Sequence, residues 1–333
     1  MIWLEFLVCI AAVGYAGSRL SRYGDIVAQK TGIGRTWVGM VMLATVTSLP
    51  ELATGVSAVT LADSPNIAVG DVLGSCVFNL VILVVVDALY REGSIYSRAS
   101  QGHILSAGFG VMLIGFVGFS LVLGARGTTP AIGHVGLYSP LIALLYALAV
   151  RTVFLYERRE IAEFVEARTE RRAAVTLRGT LARYAVATFA VLAFGTWLPF
   201  LGRDMAEAMG WHESFVGTLF VAAATSVPEI AVTIGALRIG ALDLAIGNLL
   251  GSNLFNIVIL AVDDLLFVRG PILSHVSPVH AASAFSAVVM TGATVIGFFY
   301  RPTGRVLQRI GWISLVLFSA YILNAYVLFL HRS

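Results

Sequence analysis

Ten apolar runs, each of about 20 residues and parted by short polar breaks, set the pattern of this 333-residue chain. Their approximate extents are 2–18, 37–61, 66–89, 103–124, 132–155, 181–201, 214–237, 242–267, 280–299 and 309–330. Each can cross a hydrocarbon core of roughly 30 Å as an α-helix. The pattern therefore predicts an all-α integral membrane protein with ten transmembrane helices.

Polar residues inside these runs repeat. Ala44-Thr45-Val46-Thr47-Ser48-Leu49-Pro50-Glu51 in the second run is answered by Ala222-Ala223-Ala224-Thr225-Ser226-Val227-Pro228-Glu229 in the seventh, 178 positions later. The third and eighth runs share a second element, Gly70-Asp71-Val72-Leu73-Gly74-Ser75-Cys76-Val77-Phe78-Asn79 and Gly247-Asn248-Leu249-Leu250-Gly251-Ser252-Asn253-Leu254-Phe255-Asn256, at an offset of 177. The chain is thus a duplication: a first five-helix repeat over 1–155, a linker over 156–180 and a second repeat over 181–333. Five helices is an odd number, so the second repeat enters the membrane from the opposite side. The prediction is two inverted repeats, an arrangement that brings equivalent helices together near the bilayer midplane.

Composition and charge sharpen this picture. With 58% hydrophobic and 12% charged residues, against roughly 25% charged in soluble domains, the chain is not an ordinary globular protein. Of its 22 Lys and Arg residues, 18 fall in or beside the loops after the odd-numbered helices. Basic residues mark cytoplasmic loops, so both termini are expected outside and the 156–180 linker in the cytoplasm, as a solvated extension of mixed charge. The first run has no basic segment before it and ends in Arg19 and Arg22, the mark of a retained helix rather than a cleaved signal. Cys9 and Cys76 both lie in predicted helices and make no disulfide framework. The net charge of +3 reflects cytoplasmic arginines and is no sign of nucleic-acid binding.

Pro50 and Pro228 sit in mid-helix, where proline removes one hydrogen bond and displaces the carbonyl four residues earlier, those of Val46 and Ala224. Helices 2 and 7 are therefore expected to be broken. Glu51 and Glu229 follow one residue later, about 14 residues into their runs and so near the bilayer middle at a rise of about 1.5 Å per residue. An ionised carboxylate is costly there, and neither run offers a Lys or Arg to pair with it. Hydroxyls, an amide and a carboxylate form a hard-oxygen set suited to Na⁺, Ca²⁺ or Mg²⁺. Ser75 with Asn79, and Ser252 with Asn256, are spaced to share one helix face turned toward the glutamates. Asp71 reads as a helix-terminus partner, Asp263 and Asp264 as solvated at the outer end of helix 8, and the six histidines as interfacial.

At these residues the chain resembles the cation/calcium exchanger superfamily, particularly its sodium/calcium exchanger branch of prokaryotic type without a regulatory domain. The likeness rests on Thr-Ser-x-Pro-Glu at Thr47–Glu51 and Thr225–Glu229, and on the Gly-Ser elements at Ser75–Asn79 and Ser252–Asn256. It implies ligation of transported Na⁺ and Ca²⁺ by Thr47, Ser48, Glu51, Ser75, Asn79, Thr225, Ser226, Glu229, Ser252 and Asn256, with the carbonyls of Ala44 and Ala222. It also implies alternating access by sliding of the first and sixth helices, a prokaryotic plasma-membrane location, and no cofactor. The sequence departs from relatives at Val46 and Ala224, where many carry glycine, and at Cys76, where Asn253 keeps the amide. Asn256 stands where some relatives have Asp, which argues against a third coordinated charge such as potassium. The Thr-Ser pair before Pro-Glu favours Na⁺ as counter-ion over H⁺, the ion of the alternative calcium/proton exchanger. An intramembrane hydrolase would need a nucleophile with its base or a metal-binding His pair, and the runs offer neither. A channel fits a duplicated broken-helix site less well than a carrier does.

Overall fold

The structure is a computed structural model and describes residues 2–31, 38–164, 177–306 and 310–331. These form ten helical spans. In the first repeat they are α1 (Ile2–Thr31); α2, built from a π-helical turn Val38–Leu43, Ala44–Thr47 and Leu49–Thr60; α3 (Pro65–Leu89); α4 (Gly102–Ala125); and α5 (Tyr138–Phe164). The second repeat has α6 (Leu177–Gly195, continued as Leu198–Met209); α7, built from Glu213–Val216, a π-helical turn Gly217–Val221, Ala222–Thr225 and Val227–Arg238; α8 (Leu242–Leu266); α9 (His280–Tyr300); and α10 (Trp312–Leu330).

Among the described residues eight of these spans are long and apolar enough to cross a membrane, and α2 joins them as a pair of segments bent by 45°. In α1 the apolar part is Ile2–Ala16. The helix nevertheless runs on to Thr31, well past the expected end at 18, because helix geometry does not stop where hydrocarbon does and the sequence offers no proline until Pro50. The fifth span begins at Tyr138 rather than 132, because residues 131–136 fold as a small hairpin, β1 (Ala131–Ile132) against β2 (Val135–Gly136). Its counterpart, β3 (Arg305–Val306) against β4 (Ile310–Gly311), precedes α10. These two ladders are the departures from an all-α chain among the described residues. Residues 165–176 of the expected linker lie outside the described residues.

Packing follows the duplication. Helix α1 packs on α6, α3 on α8 and α4 on α9, each against its own counterpart, while α5 packs on α8 and α10 on α3. The π-helical turn of each repeat lies against the Gly-Ser helix of the other. Glycine makes that approach possible. A side chain at Gly74 would run into the carbonyl of Thr218, and one at Gly251 into the carbonyl of Met40.

Two buried aspartates pin the ends of these helices across the repeat boundary. Asp264 accepts hydrogen bonds from the N–H groups of Gly136 and Ile272 at 2.8 Å each and from the hydroxyls of Tyr138 and Ser139 at 2.5 Å each. Asp87, its counterpart, accepts from Gly311 N–H at 2.7 Å, Ser314 Oγ at 2.8 Å and Ile95 N–H at 3.2 Å. Asp263 is buried as well. The expectation that Asp263 and Asp264 are solvated is therefore wrong: the chain folds back over the end of α8 and closes it off.

His103 and His280 correct a second expectation, since both are buried rather than interfacial. They are counterparts, and so are the residues they meet: His103 Nε2 lies 3.0 Å from Asp243 Oδ1, and His280 Nε2 lies 3.2 Å from Asn66 Oδ1.

Candidate cation site

The breaks in α2 and α7 place the site. At Ser48 the backbone leaves helical geometry (φ −85°, ψ 10°), and at Ser226 it does the same (φ −77°, ψ 3°). Each break sits one residue before the second helical segment, with proline in that segment's first turn, where its missing N–H costs nothing. The π-helical turn upstream of each break is a local distortion of the kind that recurs at functional sites. The N–H groups of Ser48 and Ser226 turn toward the carbonyls of Val46 and Ala224. Those same N–H groups bond the carbonyls of Ala44 and Ala222, each at 3.0 Å.

All twelve residues expected to hold ions are fully buried at 0% exposure. The structure brings most of them into two webs, one about each glutamate, and each web crosses the repeat boundary. Glu229 Oε1 accepts from Ser252 Oγ of its own repeat and from Ser48 Oγ of the other, both at 3.3 Å. Glu51 Oε1 accepts from Ser75 Oγ at 3.3 Å. Ser75 in turn meets Thr225 Oγ1 at 3.3 Å and Ser226 Oγ at 3.2 Å, and Thr47 Oγ1 meets Ser252 Oγ at 3.2 Å. The second carboxylate oxygen of each glutamate, Oε2, is buried with no hydrogen-bond partner. Two carboxylates thus converge, each half-satisfied by hydroxyls. Among the described residues none of the ion pairs involves either of them.

The remaining expected residues are placed less uniformly. The carbonyls of Ala44 and Ala222 accept the serine N–H groups, and the hydroxyls of Thr47 and Thr225 lie beside them at 3.3 Å and 3.1 Å, each with a single proton to share between its carbonyl and Asn248 or Asp71. Asn79 does not turn its amide on a glutamate; its Nδ2 donates to Asn253 Oδ1 at 3.1 Å, leaving its Oδ1 without a partner. Asn256 has neither side-chain atom partnered. Cys76 and Asn253, a chemically unequal pair in the Gly-Ser helices, face each other: Asn253 Nδ2 donates to the Cys76 carbonyl at 3.1 Å, and the Cys76 thiol points to the Asn253 carbonyl at 3.8 Å.

Sequence reasoning missed one pair of contacts. Asp71 is no helix-terminus partner but lies inside α3, fully buried, where Oδ1 accepts the hydroxyl of Thr225 at 2.8 Å. Its counterpart Asn248 accepts the hydroxyl of Thr47 at 3.3 Å. The signal was available, since both residues stand four positions before the serine of the same repeated element, the spacing that puts side chains on one helix face.

Two inverted repeats, two broken helices and two webs of hard oxygens walled off from solvent define a membrane carrier for cations rather than an enzyme. The family model described as "Sodium/calcium exchanger protein" matches residues 1–155 and 180–330, and the chain belongs to that family. It is a cation exchanger of the cation/calcium exchanger superfamily. Among curated relatives, the inner membrane protein YrbG of Escherichia coli (strain K12) is 28% identical over 272 residues, covering 80% of each chain. The sodium/calcium exchanger MaX1 of Methanosarcina acetivorans is 34% identical over 125 residues, 37% of this chain and 33% of that one. Among solved structures, the sodium-calcium exchanger NCX_Mj soaked with 2.5 mM Na⁺ and 1 mM Sr²⁺ superposes with a TM-score of 0.64 at 20% identity, covering 97% of this chain and 96% of the other.

Proposed function

We propose that this exchanger carries Na⁺ in one direction and Ca²⁺ in the other through the webs around Glu51 and Glu229. The observation that carries the reading is the pair of unpartnered Oε2 atoms on buried glutamates of opposite repeats. Two carboxylates present a charge of −2 that one Ca²⁺ cancels and that sodium ions cancel collectively, so the two ions compete. Ligands beyond the glutamates are the hydroxyls of Thr47, Ser48, Ser75, Thr225, Ser226 and Ser252, with the amide oxygens of Asn79 and Asn256. The carbonyls of Ala44 and Ala222 join them once the threonine hydroxyls give way.

Because the site is built jointly, movement of α1 and α6 over the fixed core would open it first to one side and then to the other. The distribution of basic residues supports placing both termini and the 61–64 and 267–271 loops outside, and the linker in the cytoplasm. Division into repeats at 1–155 and 181–333, with 156–180 as linker, follows from the same duplication, and a prokaryotic plasma membrane is the proposed location.

Na⁺ is favoured as counter-ion by the hydroxyl pairs before each Pro-Glu, which supply neutral oxygens that a proton does not need. The test is ⁴⁵Ca²⁺ uptake by proteoliposomes under an imposed Na⁺ gradient with a protonophore present. Uptake that persists supports Na⁺ exchange; uptake that collapses with the proton gradient assigns the counter-ion role to H⁺.

A further inference from the structure

At one place where the mirror relation between the repeats fails, it leaves a carboxylate that the exchange site does not use. Asp263 in α8 is fully buried, and neither of its carboxylate oxygens has a hydrogen-bond partner. The group lies flat against Gly55, one helical turn beyond Glu51 on α2: a Cβ added to Gly55 would stand 2.5 Å from Oδ2 and 2.6 Å from Oδ1. Asp71, across on α3, lies within electrostatic reach of Asp263 and has an unpartnered buried oxygen of its own, Oδ2.

None of these three residues has a like counterpart. Where the first repeat has Gly55 the second has Thr233; Asp263 answers to Val86, and Asp71 to Asn248. The side of the site toward the 61–64 and 267–271 loops therefore carries two extra carboxylates, and the opposite side carries none. The charged groups near Asp263 are Asp71 and Asp264, with Glu51 one turn away on α2, all of one sign. Among the described residues no basic side chain pairs with Asp71 or Asp263. A single Ca²⁺ between Glu51 and Glu229 leaves both aspartates uncompensated, and an uncompensated carboxylate at this depth is expensive. No three acidic, imidazole or thiol side chains among the described residues converge on one point, the kind of set a second divalent ion would call for.

We propose that Asp263, bedded on Gly55 with Asp71 opposite, forms a separate binding position for one Na⁺ on the outer side of the exchange site. It rests on the reading of the protein as a Na⁺-coupled exchanger. Glycine at 55 is what admits the carboxylate. The position gives the carrier a sidedness that its duplicated core lacks, since an ion arriving from the 61–64 face meets a charged waystation before Glu51, whereas one arriving from the other face does not.

The test uses purified full-length protein and its Asp263→Asn and Gly55→Ala variants, the second of which keeps the charge but drives a methyl group into its seat. Equilibrium ²²Na⁺ binding at saturation should fall by one ion per chain in both variants. In oriented proteoliposomes the half-saturating Na⁺ at the 61–64 face should rise roughly tenfold, the loss expected for one charged contact, with the value at the opposite face unchanged. Unchanged ²²Na⁺ stoichiometry overturns the proposal, and so does an equal shift at both faces, which would mark a structural role. Loss of pH dependence at the 61–64 face with Na⁺ affinity intact would also overturn it, by giving the position to a proton. If either variant fails to assemble, the other still decides. Wild-type calcium flux that ignores Na⁺ would instead sink the exchange reading itself, a result distinguishable from all of these.

Discussion

Ser48 of the first repeat donates its hydroxyl to Glu229 Oε1 of the second at 3.3 Å, across 181 positions of sequence. The first half of the chain thus helps to complete the carboxylate of the second. A site assembled this way cannot form within one repeat, and any shift of one repeat against the other must rearrange it.

Replacing Glu51 or Glu229 with Gln keeps size and polarity but removes half of the site's charge. Each variant should lose at least about 100-fold in calcium flux, equivalent to about 2.7 kcal/mol, while eluting as a folded monodisperse species on size exclusion. Flux near the wild-type level in both variants would mean that the ions cross elsewhere.

Ser48→Ala tests the contact between the repeats. A hydrogen bond to a charged acceptor contributes about 1.5–3 kcal/mol, so Ca²⁺ affinity measured by calorimetry should fall roughly 10- to 100-fold. Ser252→Ala, which removes the other donor to the same oxygen, should give a similar loss. The double variant should cost less than the sum, because the two hydroxyls share one acceptor.

Gly251→Ala forces a methyl group into the Met40 carbonyl. It should destabilise the protein by about 1–3 kcal/mol, read as a lower melting temperature in detergent, and Gly74→Ala should do the same at Thr218. Gly292 has open space where its Cβ would lie, so Gly292→Ala should leave melting unchanged or raise it slightly, given the cost of glycine inside a helix of about 1 kcal/mol.

Much of this was legible in the sequence because lipid imposes a strict rule. A helix must satisfy its own backbone in hydrocarbon, so the apolar runs marked the spans, and Pro50 and Pro228 marked their breaks. Repetition then pointed to the candidate site, since Thr47–Glu51 and Thr225–Glu229 stand out only as a pair. Partner choice at a distance was not legible. Nothing local in Asp263-Asp264 tells that one residue receives four hydrogen bonds while its neighbour receives none; that depends on the hairpin at 131–136 and the turn at Ile272 folding over α8. His103 and His280 were missed for the same reason, their partners lying 140 and 214 positions away.

Asp264→Asn follows from that arrangement. It weakens a buried acceptor of four hydrogen bonds and should destabilise the protein by about 2–4 kcal/mol, seen as a lower melting temperature and less protein in the membrane. Molecules that fold should still bind Ca²⁺ with wild-type affinity, because Asp264 touches none of the residues around Glu51. An affinity loss matching the stability loss would place Asp264 in the ion path.

The central claim is that Glu51 and Glu229 jointly hold one exchangeable divalent ion that Na⁺ displaces. Crystals of this protein soaked in Sr²⁺, with anomalous difference density recorded at low and at high Na⁺, test it most directly. The account predicts one strong peak bridging the two carboxylates at low Na⁺ and its disappearance at high Na⁺. A peak elsewhere, or one that persists unchanged at high Na⁺, would contradict it.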